Sequence, residues 1–201
     1  MGGWNIVAGS LSESSVVVDV GIGEDASFAE SIIKRYGCTV CAFDPTPRAR
    51  EYVAKLAEPR LKLFERGIGP RPGLAQFFLP SNGKQVSGSL RHEFHLRGPS
   101  IEVEVVTIGQ VFELLKRRRI NLLKLDIEGT EYDLIRSAEF QRYASAIDQF
   151  CVEFHHRWKS LGKGSTLGAV AMLKSLGFEC AWRCRSTNEE FLFVQTVRSD
   201  E

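Results

Sequence analysis

Three apolar runs of strand length, each ending in side chains that can bind or react, constrain the fold more than any other feature of the sequence. The run 16–20 leads into a glycine-rich turn, 122–126 leads into carboxylates, and 150–154 leads into two histidines. Open α/β sheets keep their ligands at the carboxyl ends of their strands. The pattern therefore predicts an α/β sheet with its chemistry gathered at one edge, as in enzymes that act on small molecules.

Helical segments alternate with apolar runs through most of the 201 residues. This alternation predicts crossover helices packed on a parallel sheet, and hence a doubly wound α/β fold. The predicted strands are 16–20, 38–43, 61–66, 102–106, 122–126 and 150–154, followed by an antiparallel hairpin of 178–184 and 191–197. The predicted helices are 27–36, 48–56, 108–118, one that begins near 130, and 166–176.

The chain length predicts one domain that spans residues 1–201, because domains typically contain about 100–200 residues. Gly, Pro, Ser and Asn interrupt the regular pattern between about 67 and 99, around an apolar patch at 75–79. We expect a loop or hairpin insertion there, and such insertions often cover a pocket.

Composition narrows the choice of partners. The 26 basic and 25 acidic side chains nearly cancel, which argues against a nucleic-acid partner, and the basic cluster 116–119 is expected to be a solvated helix end. The sequence has neither the pattern of a signal peptide nor a membrane-spanning run. We expect a cytoplasmic protein with no membrane partner and with five reduced cysteines; its oligomeric state stays open.

Asp19, Gly21 and Gly23 form a turn after the first apolar run. The glycines let the backbone turn tightly and approach a ligand, and the next helix offers free N–H groups. The spacing is similar to the Asp/Glu-x-Gly-x-Gly turn that holds S-adenosylmethionine, but with Ala26 it also fits the dinucleotide pattern Gly-x-Gly-x-x-Ala. Two acids here, the second being Asp25, disfavour a pyrophosphate and favour a cationic sulfonium; a turn without a ligand is the third interpretation.

Asp44 ends the second predicted strand, about 20 residues after the glycines. In nucleotide-binding α/β folds a carboxylate at this place accepts hydrogen bonds from the ribose hydroxyls. We interpret Asp44 as a cofactor-binding residue. The alternative is a helix N-cap or an Asx turn before Pro47.

Asp126, Glu128 and Glu131 follow the strand at 122–126, which lies beside the first strand in this type of sheet. Their carboxylates are candidates to contact the methionine part of the cofactor, a substrate hydroxyl or a divalent cation. Glu131 has an alternative role, because an acid in the first turn of a helix complements the helix dipole.

The segment Lys124-Leu-Asp-Ile-Glu-Gly-Thr-Glu131 resembles the Lys-x-Asp-x-Glu-Gly-x-Glu hallmark of the FkbM family of S-adenosylmethionine-dependent methyltransferases. The resemblance extends to 21–28 and 151–156, and it covers nearly the whole chain from about 16 to 197. It implies a class I methyltransferase fold, which is Rossmann-like with a mostly parallel seven-stranded sheet and a C-terminal antiparallel hairpin. It also implies methylation with S-adenosylmethionine as cofactor, usually of a hydroxyl on a sugar or secondary metabolite.

Glu153 and His155 close the third apolar run and join Asp126 and Glu128 as candidate catalytic residues. Glu153 and His155 share one face of a continued strand, whereas His156 faces the other side. Methyl transfer to a hydroxyl benefits from a base, and the ordinary histidine pKa of about 6.5 suits that task, so His155 is the first candidate. The alternative is a structural histidine. The same side chains are suitable ligands for Mg²⁺ or Mn²⁺, but their convergence does not follow from the sequence, and a metal is possible but not predicted.

His92 and His95 lack the spacing of a helical metal-binding motif and are interpreted as loop or substrate-contact residues. Two other functions stay open. One is an NAD(P)-dependent oxidoreductase, favoured only by the Gly-x-Gly-x-x-Ala spacing, and the other is an S-adenosylmethionine-binding module without catalysis. Cofactor preference distinguishes the first from a methyltransferase, and turnover distinguishes the second.

Overall fold

The computed structural model describes residues 4–81, 87–92 and 98–197. Ten strands occur among them: β1 (Val16–Val20), β2 (Thr39–Phe43), β3 (Leu61–Phe64), β4 (Gly67–Ile68), β5 (Gly73–Phe78), β6 (Ser100–Val106), β7 (Leu122–Leu125), β8 (Gln149–Glu153), β9 (Phe178–Arg183) and β10 (Glu190–Gln195). The α-helices of this part of the chain are α1 (Ser27–Tyr36), α2 (Pro47–Leu56), α3 (Ile108–Leu115), α4 (Glu131–Arg136), α5 (Ala138–Tyr143) and α6 (Gly162–Ser175).

Seven strands form one sheet in the order β3-β2-β1-β7-β8-β10-β9. The strands β3, β2, β1, β7 and β8 run parallel to one another. Strand β10 is antiparallel to both β8 and β9. This arrangement confirms the predicted Rossmann-like α/β fold with a mostly parallel seven-stranded sheet and a C-terminal antiparallel hairpin.

Helices cover both faces of the large sheet. Val18 belongs to an apolar cluster that contains Phe140 of α5, whereas its neighbour Val17 belongs to a second cluster with Ile32 of α1. Successive side chains of a strand point to opposite faces. A strand that is apolar at nearly every position, as β1 is, is therefore buried on both sides, which is the signature of a parallel sheet between two helical layers.

The helix starts follow from capping side chains. Thr46 Oγ1 accepts a hydrogen bond from the backbone of Ala49, and Pro47 occupies the first turn of α2, where its missing N–H costs nothing. Thr107 and Gln110 form a reciprocal capping box at the start of α3. These short-range signals explain why both helices begin within a residue of the predicted positions.

The end of α3 differs from the prediction. The predicted helix 108–118 is three residues too long, because Lys116 adopts a left-handed conformation with φ of 52° and stops the helix. The basic cluster 116–119 therefore follows the helix instead of forming its last turn. Arg119 in that cluster donates to Asp148 at 2.6 Å, so the cluster is partly an ion pair and not wholly solvated.

A second, three-stranded sheet with the order β4-β6-β5 occupies the region where the insertion was expected. Strands β5 and β6 pair antiparallel, with Phe77 opposite Ile101. Phe77, Val103 and Val105 form a small separate core beneath them. Residues 82–86 and 93–97 of the insertion, and with them His95, lie outside the described residues.

The five cysteines are free thiols, and Cys38, Cys41 and Cys151 are buried. Within the described part of the chain, each helix is too short or too polar to cross a lipid bilayer.

Candidate functional site

A cavity of about 500 Å³ opens at the carboxyl ends of β1, β2, β7 and β8, where the sequence analysis expected the chemistry. Small-molecule sites commonly have volumes of about 300–1,000 Å³. Lys124 is the one basic side chain among the described lining residues. The acidic lining residues are Glu24, Asp25, Asp44, Asp126, Glu128, Glu153 and Glu190.

The glycine turn after β1 forms one wall of this cavity. Gly21 has φ of 81°, and a Cβ at this position would lie 1.8 Å from the carbonyl oxygen of Asp126. Gly21 also donates its N–H to the carbonyl of Phe43 at 3.0 Å. A side chain at this position is therefore excluded by the close approach of the β1 and β7 ends, as well as by the backbone conformation.

Asp44 lies at the end of β2, is almost fully buried and lines the cavity. One carboxylate oxygen accepts from the backbone N–H of Gly23 at 2.9 Å. The other accepts from the N–H of Thr46 at 2.9 Å and from its hydroxyl at 2.6 Å. Asp44 thus links the glycine turn to the start of α2. Since a carboxylate offers about four acceptor positions and three are in use, capacity for a ligand hydroxyl remains.

Asp19 and Lys124 form a buried ion pair between β1 and β7. Lys124 Nζ donates to Asp19 Oδ1 at 2.9 Å. The lysine side chain is 6% exposed and the aspartate side chain is 1% exposed. Burial disfavours the lysine charge, yet Asp19 and Asp126 raise the pKa of Lys124 above its ordinary value. Asp19, expected to bind the cofactor, is not among the cavity-lining residues. Lys124 was noted in the sequence only as part of the family hallmark and was given no role, although a lysine inside an apolar strand signals a buried partner.

His155 stands at the centre of a ring of carboxylates. It is fully buried, and its Nδ1 lies 3.1 Å from Glu131 Oε1, which also accepts from the His155 backbone N–H at 3.0 Å. Its Nε2 lies 3.2 Å from Glu128 Oε2, 3.7 Å from Asp126 Oδ1 and 3.9 Å from Glu153 Oε1. The structure therefore brings together all four residues of the candidate catalytic set, and adds Glu131.

The charged groups of this cluster shift one another's pKa values. Burial raises the pKa of Asp126 to about 7, with Glu153 adding to the rise and Lys124 opposing it. Burial alone would raise the pKa of Glu128, but the His155 imidazole 3.2 Å away and the Ser87 side chain hold that pKa below its ordinary value. Burial lowers the pKa of His155, but its two carboxylate partners outweigh burial and raise it well above the ordinary value. The imidazole therefore holds a second proton more readily than a free histidine does.

The backbone that carries Glu128 is held by the insertion. Glu128 has φ of 50°, which is an uncommon conformation for a residue with a side chain. Ser89 donates its hydroxyl to the Glu128 carbonyl at 2.5 Å and accepts the N–H of Arg91 at 3.0 Å. Gly129 follows with φ of 89°, and Trp158 packs where a Cβ of Gly129 would be. Ser89 carried no signal in the sequence.

Two other histidines that the structure describes, His92 and His156, have different partners. His156 Nδ1 lies 3.1 Å from the hydroxyl of Thr166, on the opposite side of the chain from His155. The ring of His92 packs edge-on against Phe78, with 4.8 Å between the ring centroids. His155 is accordingly the histidine directed at the carboxylates.

Comparisons with known proteins are consistent with this architecture. The family model described as the methyltransferase FkbM domain matches residues 16–180. The fibrillarin pre-rRNA processing protein of Methanococcus jannaschii is similar in structure, with a TM-score of 0.55 and 11% identity over 92% of this chain and 67% of that chain. An rRNA methylase from Streptococcus thermophilus has a TM-score of 0.50 and 14% identity over 92% of this chain and 87% of that chain. At such identities the likeness concerns the fold alone. The search of curated proteins found no match.

Proposed function

This chain belongs to the FkbM methyltransferase family, as the match over residues 16–180 shows, and on that premise we propose that it transfers a methyl group from S-adenosylmethionine to a hydroxyl group of a sugar or another small metabolite. The observation that carries the proposal is one cavity with two different ends. A glycine turn and Asp44 form the first end, and the carboxylate cluster around His155 forms the second.

The charge of the lining fits the proposed cofactor. S-Adenosylmethionine carries a positive sulfonium, and seven acidic side chains against one lysine line the cavity among its described residues. A dinucleotide would bring a doubly negative pyrophosphate to the same wall, where Glu24 and Asp25 follow the glycines. The oxidoreductase alternative is therefore not favoured, because like charges in a partly buried site repel.

The cofactor-binding roles follow from position. Gly21 and Gly23 bring the backbone against the cavity, and Asp44 offers its remaining acceptor capacity to a ribose hydroxyl. Asp126 lies beside this end through the contact of its carbonyl with Gly21. We assign Asp19 an indirect role, since it holds Lys124 in place at the wall.

S-Adenosylmethionine, when bound, supplies a methyl group on a sulfonium, which an oxygen lone pair attacks while the carbon–sulfur electrons remain on sulfur. The protein must orient the acceptor hydroxyl and take up its proton. Asp126, Glu128 and Glu153 line the cavity and are placed to accept that proton. His155 is fully buried behind them and is absent from the described lining, so we assign proton removal to the carboxylates and not to His155.

A small acceptor fits this site better than a nucleic acid. The titles of the two similar structures refer to rRNA processing and to an rRNA methylase, which describes those proteins. Here the net charge is only +1, and the cavity wall is mainly acidic. Phosphate backbones bind to clustered Lys and Arg, and an acidic wall opposes them.

The test is methyl transfer from isotopically labelled S-adenosylmethionine to a panel of sugars and hydroxylated metabolites, with an rRNA fragment assayed in parallel. The expected result is label on a hydroxyl oxygen of at least one small acceptor, and none when Asp44→Ala replaces the wild type. Label on RNA alone would contradict the proposed acceptor class. Cofactor binding without transfer to any acceptor would favour a module that has lost catalysis.

A further inference from the structure

The orientation of the His155 ring is fixed from one side only. Glu131 Oε1 lies 3.1 Å from Nδ1 and also accepts the backbone N–H of the same residue, so the carboxylate holds both the ring and the main chain. Glu131 and His155 are both completely buried. A carboxylate behind a histidine in this way fixes the proton on Nδ1 and directs the lone pair of Nε2 away from it.

In this orientation, Nε2 of His155 is buried and has no aligned hydrogen-bond partner among the described residues. It nevertheless faces carboxylate oxygens of Glu128 and Asp126, at 3.2 Å and 3.7 Å. A nitrogen lone pair and two carboxylates repel one another at such distances unless a positive charge lies between them. The site therefore calls for a cation, which is either a second proton on the ring or a metal ion.

The donor geometry favours a metal ion. One atom each from Asp126, Glu128 and His155 lie within 4.8 Å of one another. Two ligands that are about 2.1 Å from a cation and at right angles are about 3.0 Å apart, so the observed separations need little adjustment. A second proton on the ring is stabilised best by an aligned hydrogen bond, and Nε2 has none among the described residues.

We propose that Asp126, Glu128 and His155 bind a divalent cation of the Mn²⁺ type, with Glu131 orienting the histidine from behind. One imidazole with two carboxylates suits Mn²⁺ better than Mg²⁺, which prefers oxygen ligands. Both carboxylates line the cavity, so the remaining coordination positions face the space where an acceptor would bind.

The catalytic role of this ion rests on the proposed function, whereas the binding of the ion does not. A divalent cation that binds a hydroxyl lowers the pKa of that hydroxyl. The acceptor proton would then pass to Glu153, which lines the same wall but is not among the three ligands. The oxygen retains the electron pair that forms the new bond to carbon.

Mn²⁺ binding is measured directly by loss of the electron paramagnetic resonance signal of free Mn²⁺, with the purified 201-residue chain and neither cofactor nor acceptor. We expect one ion per chain. Glu128→Gln should weaken binding by at least about tenfold, since even the partners that orient metal ligands are worth about 10–100-fold. The matched control is Glu190→Gln, which removes one negative charge from the same cavity outside the cluster and should bind as the wild type does.

Absence of stoichiometric Mn²⁺ binding by a folded wild-type protein would overturn the proposal. Equal weakening in both variants would also overturn it, because the effect would then be one of general charge. Calorimetric titration with S-adenosylhomocysteine separates this proposal from the proposed function. Mn²⁺ binding without S-adenosylhomocysteine binding supports the metal site and contradicts the proposed function. S-Adenosylhomocysteine binding without Mn²⁺ binding supports the proposed function and contradicts the metal site.

Discussion

Replacement of Gly21 by alanine tests the claim that the glycine turn and the β7 end form one rigid junction. The added Cβ would lie 1.8 Å from the Asp126 carbonyl oxygen, whereas real Cβ contacts are at least 3.0 Å, so the strands must separate by roughly 1.2 Å. The left-handed φ of 81° costs about 1–2 kcal/mol for any side chain. Overpacking adds about 1–3 kcal/mol, so we expect a total loss of about 2–5 kcal/mol.

Gly9→Ala is the matched control, because Gly9 has φ of 71° and an added Cβ there would have nothing within 4 Å. It carries the backbone cost without the clash. Urea unfolding should show a larger loss of unfolding free energy for Gly21→Ala than for Gly9→Ala. Calorimetry should show lost binding of S-adenosylhomocysteine in the first variant alone. Equal losses of stability, or full binding by Gly21→Ala, would show that the glycine turn and the β7 end do not form a rigid junction.

Four further single substitutions test other parts of the site. Lys124→Met leaves Asp19 buried without its partner and should lower the free energy of unfolding by about 3–5 kcal/mol in urea unfolding. The double variant that adds Asp19→Asn should recover part of this loss. No recovery would argue against a stabilising ion pair between Lys124 and Asp19. Asp44→Ala should weaken S-adenosylhomocysteine binding, whereas His155→Gln should keep that binding and lower turnover. If the two variants lost cofactor binding and turnover to the same extent, these roles would be contradicted. Ser89→Ala removes the hydrogen bond to the Glu128 carbonyl and should lower the free energy of unfolding by about 1–3 kcal/mol. It should also reduce kcat more than it reduces cofactor affinity. An unchanged kcat would mean that Ser89 does not position Glu128.

The main sheet was predictable because its strands are apolar at nearly every position and its helices carry local start signals. Val16–Val20 and Ser27–Tyr36 match the predicted bounds without change. The end of α3 was not predictable, since it depends on the left-handed conformation of Lys116, which is not a glycine. The second sheet was also missed as a sheet, because β4 has two residues and its pairing partner β6 is more than thirty residues away.

The residues of the site were predictable in type but not in arrangement. Asp126, Glu128, Glu153 and His155 converge because β7 and β8 pair in parallel with Leu125 opposite Val152, and register is a long-range property. The burial of His155 and its contact with Glu131 depend on how α4 packs against the end of β8. Asp44 lines the cavity, where its proposed cofactor-binding role places it, and it also forms the Asx turn by accepting from the Thr46 N–H, while the N-cap of α2 is Thr46.

Calorimetric titration of the purified protein with S-adenosylhomocysteine, with NADH in a parallel cell, decides whether this cavity binds S-adenosylmethionine. Saturable binding of S-adenosylhomocysteine at one site per chain, weakened by Asp44→Ala, and no binding of NADH is the predicted result. Binding of NADH alone would contradict the assignment of this cavity to S-adenosylmethionine, and binding of neither would remove the cofactor from the account.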